Sequence, residues 1–398
     1  MRNYSLLRAL RMEGHELTLV AFGKREELVS ARRALAGLCV DLDLVQEPSG
    51  AGYAGRLRAL ASRLPYGAWR MRSHAMRAAV SNHLARQVFD LVLCDDVYQI
   101  ENLPALCQIP IILNKHTIVY EEVQRFLEHQ RNPLVAAYGW TEYQRLRRLE
   151  MRACGTATAV WACSERDLQI LVRDNSSVPI ALVPNVIDTD GYQPSEGDDG
   201  RTVLFVGAMD WMPNRDAIEF FVRESWPRLR ALAPCARLVV AGREPAPEFV
   251  RRFAKHPEIT FTGTVANLRP LLSQAAVSIV PLRIGSGTRI KILEAASMGK
   301  TVVSTKIGAE GLRFANGSEI ILEEAPLEFA RAVAELLHDE PRRRRIGAAA
   351  RRVVVEHYSM PALARALRSA FGTLSQNLWA GDTTDKPPAV AAHAKNAK

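Results

Sequence analysis

The sequence has few of the features that mark secreted, metal-binding or membrane-spanning proteins. Its 398 residues contain six cysteines, scattered without a C-x-x-C pair or a histidine at metal-ligand spacing. This favours reduced thiols in a cytoplasmic protein over disulfides or a zinc site. No apolar run reaches the ~20 residues that a membrane-spanning helix needs. No G-x-G-x-x-G follows a predicted strand, which disfavours a dehydrogenase. The length is sufficient for two hydrophobic cores.

The stretch from Val277 to Thr305 carries the clearest pattern in the chain. A β-branched run, Val277–Val280, predicts a buried strand, and the loop Gly285-Ser286-Gly287 follows it. Thr288–Met298 contains helix formers without glycine or proline, and Thr301–Thr305 predicts a second strand. The glycine loop leaves room for a ligand at the backbone, and the helix N-terminus offers N–H donors to an anion.

Three polar residues of that predicted helix, Thr288, Lys291 and Glu294, recur every three residues and share one helical face. A hydroxyl and an ammonium near the helix N-terminus suit a phosphate, and a carboxylate one turn later suits two vicinal hydroxyls such as those of a ribose. The alternative is a surface salt bridge between Lys291 and Glu294, worth at most about 0.2–0.5 kcal/mol in this orientation. The glycine loop, the basic residue Lys291 and the carboxylate of Glu294 together favour the ligand-binding interpretation.

Predicted strands and helices alternate along the chain, which indicates an α/β protein with largely parallel sheets. The first half begins with a helix over Arg2–Met12, and the second begins with a strand over Thr202–Val206. A long helix is predicted from Asn214 towards Leu232. Between the halves, Pro184–Gly200 is rich in proline, glycine and aspartate and is the predicted linker.

Five short motifs follow one another in chain order. They are P-N-V-I-D (Pro184–Asp188), G-A-M-D-W-M-P-N (Gly207–Asn214), T-G-T-V (Thr262–Val265), G-S-G-T-R-I-K-I-L-E-A (Gly285–Ala295) and A-E-G-L (Ala309–Leu312). Together they resemble the GT-B glycosyltransferases of family four, the retaining type that uses nucleotide sugars. More narrowly, the chain is similar to sugar transferases linked to bacterial exopolysaccharide and PEP-CTERM/exosortase loci. The resemblance is strong from Thr202 to Tyr358 and looser before it.

The resemblance implies a GT-B architecture, in which two Rossmann-like domains with parallel sheets face a central cleft. It places an acceptor-side domain at residues 1–185 and a nucleotide-sugar donor domain at 186–358. A helix at 359–376 is expected to cross back to the first domain. The polar tail at 377–398 is expected to be disordered.

The resemblance also implies roles for individual residues in sugar transfer from a nucleotide-sugar donor. Glu294 would accept from the ribose hydroxyls, while Arg289 and Lys291 would stabilise charge on the leaving diphosphate as catalytic residues. The other expected donor-binding residues are Gly207, Asn214, Thr264, Val265, Gly285, Gly287 and Thr288. His116, in N-K-H-T after a predicted strand, is expected near the transferred sugar as a further catalytic residue. No Asp-x-Asp motif stands at a strand end in the second half, so neither a metal nor a cofactor is expected.

The chain departs from the family pattern in three places. The family often has a glutamate where this chain has Ser286 and an arginine where it has Ala208, and Arg215 or Arg243 could supply the missing charge. The family's first strand and its glycine loop, normally central in the sheet, have no counterpart before Arg2. We therefore expect the first domain to lack its first strand and the natural protein to start upstream.

The segment Arg56–Arg86 contains seven arginines and no aspartate or glutamate, with Tyr66 and Trp69 among them. Basic helices with aromatic residues suit an anionic membrane surface or a lipid-phosphate acceptor, and a solvated helical face is an equal alternative. No nucleic-acid recognition motif accompanies the charge, so nucleic acid is not an expected partner. With the resemblance, this predicts a cytoplasmic enzyme, peripheral on the inner membrane, acting on a glycolipid or polysaccharide intermediate.

Two other functions fit the same architecture. Nucleotide-sugar epimerisation would need acid/base carboxylates facing the sugar, for which Asp95 and Asp96 are the candidates. A nucleotide-binding scaffold protein with impaired turnover is the non-enzymatic alternative, suggested by the missing first strand.

Overall fold

The computed structural model describes most of the chain. The described residues are 2–24, 28–48, 55, 58–59, 61–104, 107–128, 130–175, 177–194, 197–243, 245–285 and 287–379. Ser286 and the tail from Ala380 to Lys398 lie outside them.

The first half of the chain builds two parallel sheets with helices packed around them. Its elements are α1 (Arg2–Met12), β1 (Thr18–Gly23), α2 (Leu28–Leu35), β2 (Asp41–Gln46), α3 (Tyr66–Met71), α4 (His74–Arg86), β3 (Val92–Asp95), a 3-10 turn (Val97–Asn102), β4 (Ile111–Asn114), α5 (Val119–Glu128), α6 (Pro133–Thr156), β5 (Ala159–Ala162), α7 (Glu165–Asp174) and β6 (Ile180–Leu182). Strand β1 pairs with β2, and the other four strands pair in the order β3-β4-β5-β6, all parallel. Within the described residues, no backbone ladder joins β1 to β3.

The second half forms one six-stranded sheet. Its elements are β7 (Thr202–Val206), α8 (Met212–Phe220), a π turn (Phe221–Ser225), α9 (Trp226–Leu232), β8 (Arg237–Ala241), α10 (Pro247–Arg251), β9 (Ile259–Gly263), α11 (Arg269–Gln274), β10 (Val277–Val280), α12 (Ile290–Ser297), β11 (Thr301–Ser304), α13 (Lys306–Ala309), β12 (Ile321–Leu322), α14 (Pro326–His338), α15 (Glu340–His357) and α16 (Met360–Trp379). The strand order is β12-β11-β10-β7-β8-β9, and every pair is parallel. Both faces of this sheet are covered by helices, so its central strands are apolar and buried.

The long helix predicted from Asn214 towards Leu232 is interrupted by a π turn, Phe221–Ser225. Pro227 lies in the first turn of α9. Proline has no N–H to give to the carbonyl of Arg223 four residues earlier, and its ring would clash with that carbonyl in a regular helix. The wider turn relieves both problems.

The two halves are connected at two neighbouring places. The linker leaves the first half after β6, and the chain returns between α15 and α16. At these crossings the N–H of Ile187 donates to the carbonyl of Tyr358 at 2.8 Å. Helix α16 then packs on α1, where Leu363 and Leu367 share a buried core with Leu6 and Leu10.

The six cysteines are all free thiols. None of the helices in the described part of the chain is both long and apolar enough to cross a bilayer.

A buried ion pair lies beneath the end of β4. The Lys115 ammonium donates to Glu150 Oε2 at 2.7 Å, and the two side chains are 2% and 0% exposed. The other oxygen of Glu150 accepts from the backbone N–H groups of Val119 and Tyr120, at 2.8 and 3.2 Å. Glu150 on α6 therefore neutralises Lys115 and caps the N-terminus of α5 at the same time.

We expect Glu150→Ala to lower the free energy of unfolding by about 3–5 kcal/mol, because it leaves a buried ammonium without its counter-charge. The measurement is urea denaturation, with the exposed Glu128→Ala on α5 as control. The double variant Lys115→Met with Glu150→Leu should recover the part of the loss that comes from the unpaired charge, since apolar pairs replace buried ion pairs well, but not the part that comes from the lost cap of α5. A loss below about 1 kcal/mol in the single variant would contradict this account.

Candidate active site

The glycine loop after β10 is shaped by two glycines with positive φ, Gly285 at +131° and Gly287 at +74°. L-residues rarely adopt these conformations, so the sequence requires glycine at both positions. Beneath the loop, Nη1 of the buried Arg289 donates to the carbonyl of Gly287 at 2.7 Å. A Cβ atom at Gly285 would lie 2.8 Å from the same guanidinium. Burial lowers the pKa of Arg289 from its ordinary value.

Lys291 lies on the first turn of α12 and points towards the end of β7. Its Nζ donates to Asn214 Oδ1 at 2.8 Å and lies 4.3 Å from the centroid of the Phe205 ring. A Cβ atom at Gly207, just after β7, would lie 2.8 Å from this ammonium, so a larger residue there would displace the Lys291 side chain. Burial, with the nearby positive charge of Arg289, lowers the pKa of Lys291 to about 7.

Glu294 is buried one turn further along α12. Its Oε1 accepts a hydrogen bond from the hydroxyl of Tyr192 at 3.2 Å. Burial raises the pKa of the Glu294 carboxyl, and the Tyr192 hydrogen bond and the charge of Lys291 oppose that rise. Lys291 and Glu294 thus bond to different partners, Asn214 and Tyr192, and the predicted alternative of a simple surface salt bridge between them is not the arrangement seen.

The remaining predicted donor-side residues lie at two places, the loop before α12 and the end of β9. The Thr288 hydroxyl, just before α12, contacts Cys163 Sγ at 3.7 Å, which brings it against the first domain. Thr264 is exposed and Val265 is half-buried, and both follow β9, the edge strand of the sheet. These two residues therefore lie at the carboxyl end of the sheet, two strands from β7 and its neighbour Lys291.

On the facing side, His116 follows β4 and pairs with Asp95 at the end of β3. His116 Nε2 lies 2.8 Å from Asp95 Oδ1, which also accepts from Asn114 Nδ2 at 2.6 Å. Arg2 donates in turn to Asn114 Oδ1 at 2.6 Å. Burial alone would raise the pKa of Asp95, but the hydrogen bond and charge of His116, with help from Asn114 and Arg2, bring it below its usual value.

Asp96, the neighbour of Asp95, is turned away from this pair. It has a φ of 75°, unusual for a residue other than glycine, and its Oδ1 accepts from the N–H of Val97 at 2.5 Å. The carboxylate thus caps the 3-10 turn that follows. The two carboxylates suggested for epimerisation therefore have different partners. Asp95 contacts His116, and Asp96 caps the 3-10 turn.

The two sides meet at the glycine loop. A Cβ atom at Gly287 would lie 3.3 Å from the carbonyl oxygen of His116 and 3.5 Å from Thr117 Cβ. The carboxyl ends of the two sheets therefore meet at this loop, with Lys291, Arg289 and Glu294 on the side of the second sheet and His116 on the side of the first. Ligands of parallel α/β sheets bind at such carboxyl ends.

Sequence reasoning missed Tyr192, Asn114 and Arg2 as parts of the site. Tyr192 lies in the predicted linker. The composition of that linker gives no reason to expect a contact between Tyr192 and Glu294, which is 102 positions later in the chain. Asn114 and Arg2 gave a weak signal, because both are polar residues at the ends of predicted elements. Within the described part of the chain, no group of three or more His, Cys, Asp or Glu side chains is arranged to hold a metal ion.

Comparisons with known proteins match both halves of the chain. Residues 2–190 match the family model described as Glycosyltransferase Family 4, and residues 200–339 match the one described as Glycosyl transferases group 1. No curated protein sequence matches the chain.

Solved structures resemble the whole fold at low sequence identity. HepE of Anabaena, in complex with UDP and glucose, is 12% identical with a TM-score of 0.67 over 94% of this chain and 96% of HepE. Sucrose-phosphate synthase of Thermosynechococcus elongatus is 18% identical with a TM-score of 0.63 over 92% and 100%. TarM of S. aureus is 11% identical with a TM-score of 0.60 over 74% of this chain, and the match spans 58% of TarM. At these identities the likeness shows the fold.

We expect Lys291 to lose its proton near neutral pH. The lowered pKa means that the ammonium is the main form below about pH 7 and the neutral amine is the main form above it. In protein labelled with ¹³C-lysine, one Cε resonance should titrate with a midpoint near 7 and should be missing in Lys291→Met. Absence of any lysine resonance titrating below pH 9 would show that the side chain is better solvated than its contacts indicate.

Proposed function

We propose that this chain, which has the GT-B fold, is a glycosyltransferase whose second domain binds a nucleoside diphosphate sugar and whose cleft transfers the sugar to an acceptor on the first domain. One observation carries the proposal. Lys291 and Glu294 lie on one face of α12, directly behind a glycine loop that ends at a helix N-terminus. This arrangement offers positive charge to a diphosphate and a carboxylate to a ribose within one short helix.

The donor would lie with its diphosphate at the glycine loop and its ribose at Glu294. UDP is the nucleotide to test first, since HepE, which has a similar fold, has been crystallised with UDP and glucose. The buried carboxylate of Glu294 would accept from the ribose hydroxyls, and Tyr192 would hold it in place. Thr264 and Val265, after β9, would border the base.

In the transfer step the bond between the sugar C1 and the diphosphate oxygen breaks. The acceptor hydroxyl oxygen bonds to C1, and its proton passes to the departing diphosphate. We propose that the new bond forms on the face from which the diphosphate leaves, as the resemblance to retaining enzymes implies. Lys291, Arg289 and the N–H groups of Gly287 and Thr288 would neutralise the developing negative charge in the role that a metal ion has elsewhere.

The first domain would present His116 to the transferred sugar. Asp95 holds the ring by its Nε2 atom, at 2.8 Å, which leaves Nδ1 for a sugar hydroxyl. The acceptor we propose is a glycolipid or polysaccharide intermediate of bacterial envelope or exopolysaccharide synthesis. This part rests on the resemblance of the second-half motifs to exopolysaccharide-linked transferases.

The test of the proposed function is incubation with a panel of nucleotide sugars, followed by release of the nucleoside diphosphate. Release with at least one donor, and an anomeric configuration retained in the product by NMR, are the expected results. A chain that binds UDP but releases nothing from any donor would instead favour the scaffold alternative. Isomerisation of the donor sugar without release would favour epimerisation.

Two substitutions on α12 should separate binding from turnover. We expect Glu294→Gln to weaken UDP binding about tenfold or more, because it removes charged hydrogen bonds to the ribose. Lys291→Ala should mainly lower kcat, on the order of a hundredfold, because it removes charge stabilisation of the leaving group. Lys306→Ala, an exposed lysine of the same domain, is the control for calorimetry and steady-state kinetics. Unchanged affinity and rate in Glu294→Gln would refute the ribose assignment.

The acceptor domain also offers a surface for an anionic membrane. Among the described residues of the predicted basic segment, four arginines are exposed: Arg58, Arg63, Arg72 and Arg86. Its aromatic residues are less available than the sequence suggested, since Tyr66 and Trp69 stack on each other and are half-buried. Helix α6 lies beside them at its third turn, because Glu142 accepts from the N–H of Tyr66 at 2.7 Å, and the start of the helix extends from there.

That start of α6 exposes apolar side chains, with Leu134 81% and Trp140 55% exposed. Exposed apolar groups beside arginines are the combination that binds at a bilayer interface. We therefore include this tip in the proposed membrane-facing surface of the first domain.

We expect salt-sensitive partitioning onto vesicles that contain anionic lipid, with each arginine near the surface contributing about 1 kcal/mol. Replacing Arg63 and Arg72 by glutamine should reduce partitioning at low salt. The same change at Arg237 and Arg251, two exposed arginines of the second domain, should not. Equal partitioning onto neutral and anionic vesicles would exclude this surface as an electrostatic membrane site.

A further inference from the structure

The A-E-G-L motif, Ala309–Leu312, has no part in the donor chemistry described above. It follows the short helix α13 at the side of the second domain that faces the first. Gly311 has a φ of +77°, and a Cβ atom there would lie 2.9 Å from Ser164 Cβ of the first domain. The motif is therefore packed against the other domain at its glycine.

Glu310, the acidic residue of the motif, receives two arginines from the first domain. Arg125 of α5 donates to it through both terminal nitrogens, at 2.6 and 2.8 Å. Arg166 of α7 approaches the same carboxylate through Nε at 3.0 Å. Two-pronged arginine–carboxylate contacts are stronger and more directional than single surface pairs, and here several charges form a network.

Arg125 also reaches the glycine loop. Its Nη1 donates to the carbonyl of Gly285 at 3.0 Å. One side chain of the first domain thus holds both Glu310 and the backbone of the loop that faces the diphosphate. Directly after the motif, Arg313 of the second domain pairs with Glu165 of α7.

We propose that Arg125 and Glu310 form a closure latch, and that Arg125 is a positioning residue for the glycine loop. When the first domain closes, Arg125 engages Glu310 and fixes the Gly285 carbonyl. When it opens, both contacts are lost together, and the loop loses a restraint at the point where the diphosphate would bind. The latch therefore makes the catalytic form of the loop conditional on closure. Closure itself does not depend on the proposed function, whereas the effect on transfer does.

The first arm of the test uses small-angle X-ray scattering and needs no substrate. Arg125→Gln and Glu310→Gln should each increase the radius of gyration of the whole chain. Glu310→Gln should increase it more, because the contact of Arg166 with Glu310 across the domains is also lost, although Arg166 keeps Glu121 as a partner. The double variant should match Glu310→Gln alone, since two residues of one interaction are not additive. Arg131→Gln, an exposed arginine just beyond α5, should leave the radius unchanged.

Radii equal to the wild type in both single variants would overturn the latch. Additive increases in the double variant would overturn the pairing of Arg125 with Glu310. Circular dichroism identifies a variant that has unfolded, and Arg125→Lys, which keeps the charge but not the two-pronged geometry, then replaces Arg125→Gln. With Arg125→Lys, an unchanged radius would likewise overturn the two-pronged latch.

The second arm uses UDP and the donor identified by the panel. Arg125→Gln should lower kcat about tenfold while changing UDP affinity less than about twofold, because the loop is mispositioned but the nucleotide contacts remain. A parallel loss of affinity and rate would make Arg125 a general structural residue and overturn its positioning role. If no donor is turned over, the proposed function fails while the scattering arm still decides the latch.

Discussion

The buried pair between Lys115 and Glu150 supports most of the first domain's contribution to the cleft. Glu150 neutralises Lys115, the residue between Asn114 and His116, and the same carboxylate caps α5. Removing two charges from water is costly, and the cost is recovered only when the geometry satisfies the remaining donors and acceptors. The backbone bonds to Val119 and Tyr120 do so. The orientation of His116 and the direction of α5, which carries Arg125, thus depend on one carboxylate on α6.

The donor side depends on a different balance of charge. Burial lowers the pKa of both Arg289 and Lys291, and the positive charge of Arg289 lowers the pKa of Lys291 further. Such a site is unfavourable when empty of negative charge and becomes favourable when an anion enters. The protein keeps this arrangement because the surrounding sheet is rigid and apolar, with Phe205 under the Lys291 ammonium. If the proposed donor binds here, its diphosphate would supply the negative charge that this site lacks.

The sequence predicted local structure well and distant contacts poorly. The unit from β10 through the glycine loop to β11 follows the predicted order, because β-branched runs and glycines act over a few residues. The helix begins at Ile290 rather than Thr288, since Arg289 adopts an extended backbone and its side chain binds the Gly287 carbonyl. The partnerships of Tyr192 with Glu294 and of Arg125 with Glu310 join residues 102 and 185 positions apart. No periodicity encodes such pairs, because they arise only when the two domains and the linker are folded together.

The hydrogen bond between Ile187 and Tyr358 has a mechanical consequence. The two segments that cross between the domains lie side by side and are joined by this hydrogen bond, so together they form a single hinge, called the pivot below. Sliding or twisting one domain on the other would shear this bond and the packing of α16 on α1. Rotation about an axis through the pivot disturbs neither. We therefore infer that rotation about this pivot is the easiest motion of the domains, in which the rim of the cleft, farthest from the pivot, travels the greatest distance for a given angle.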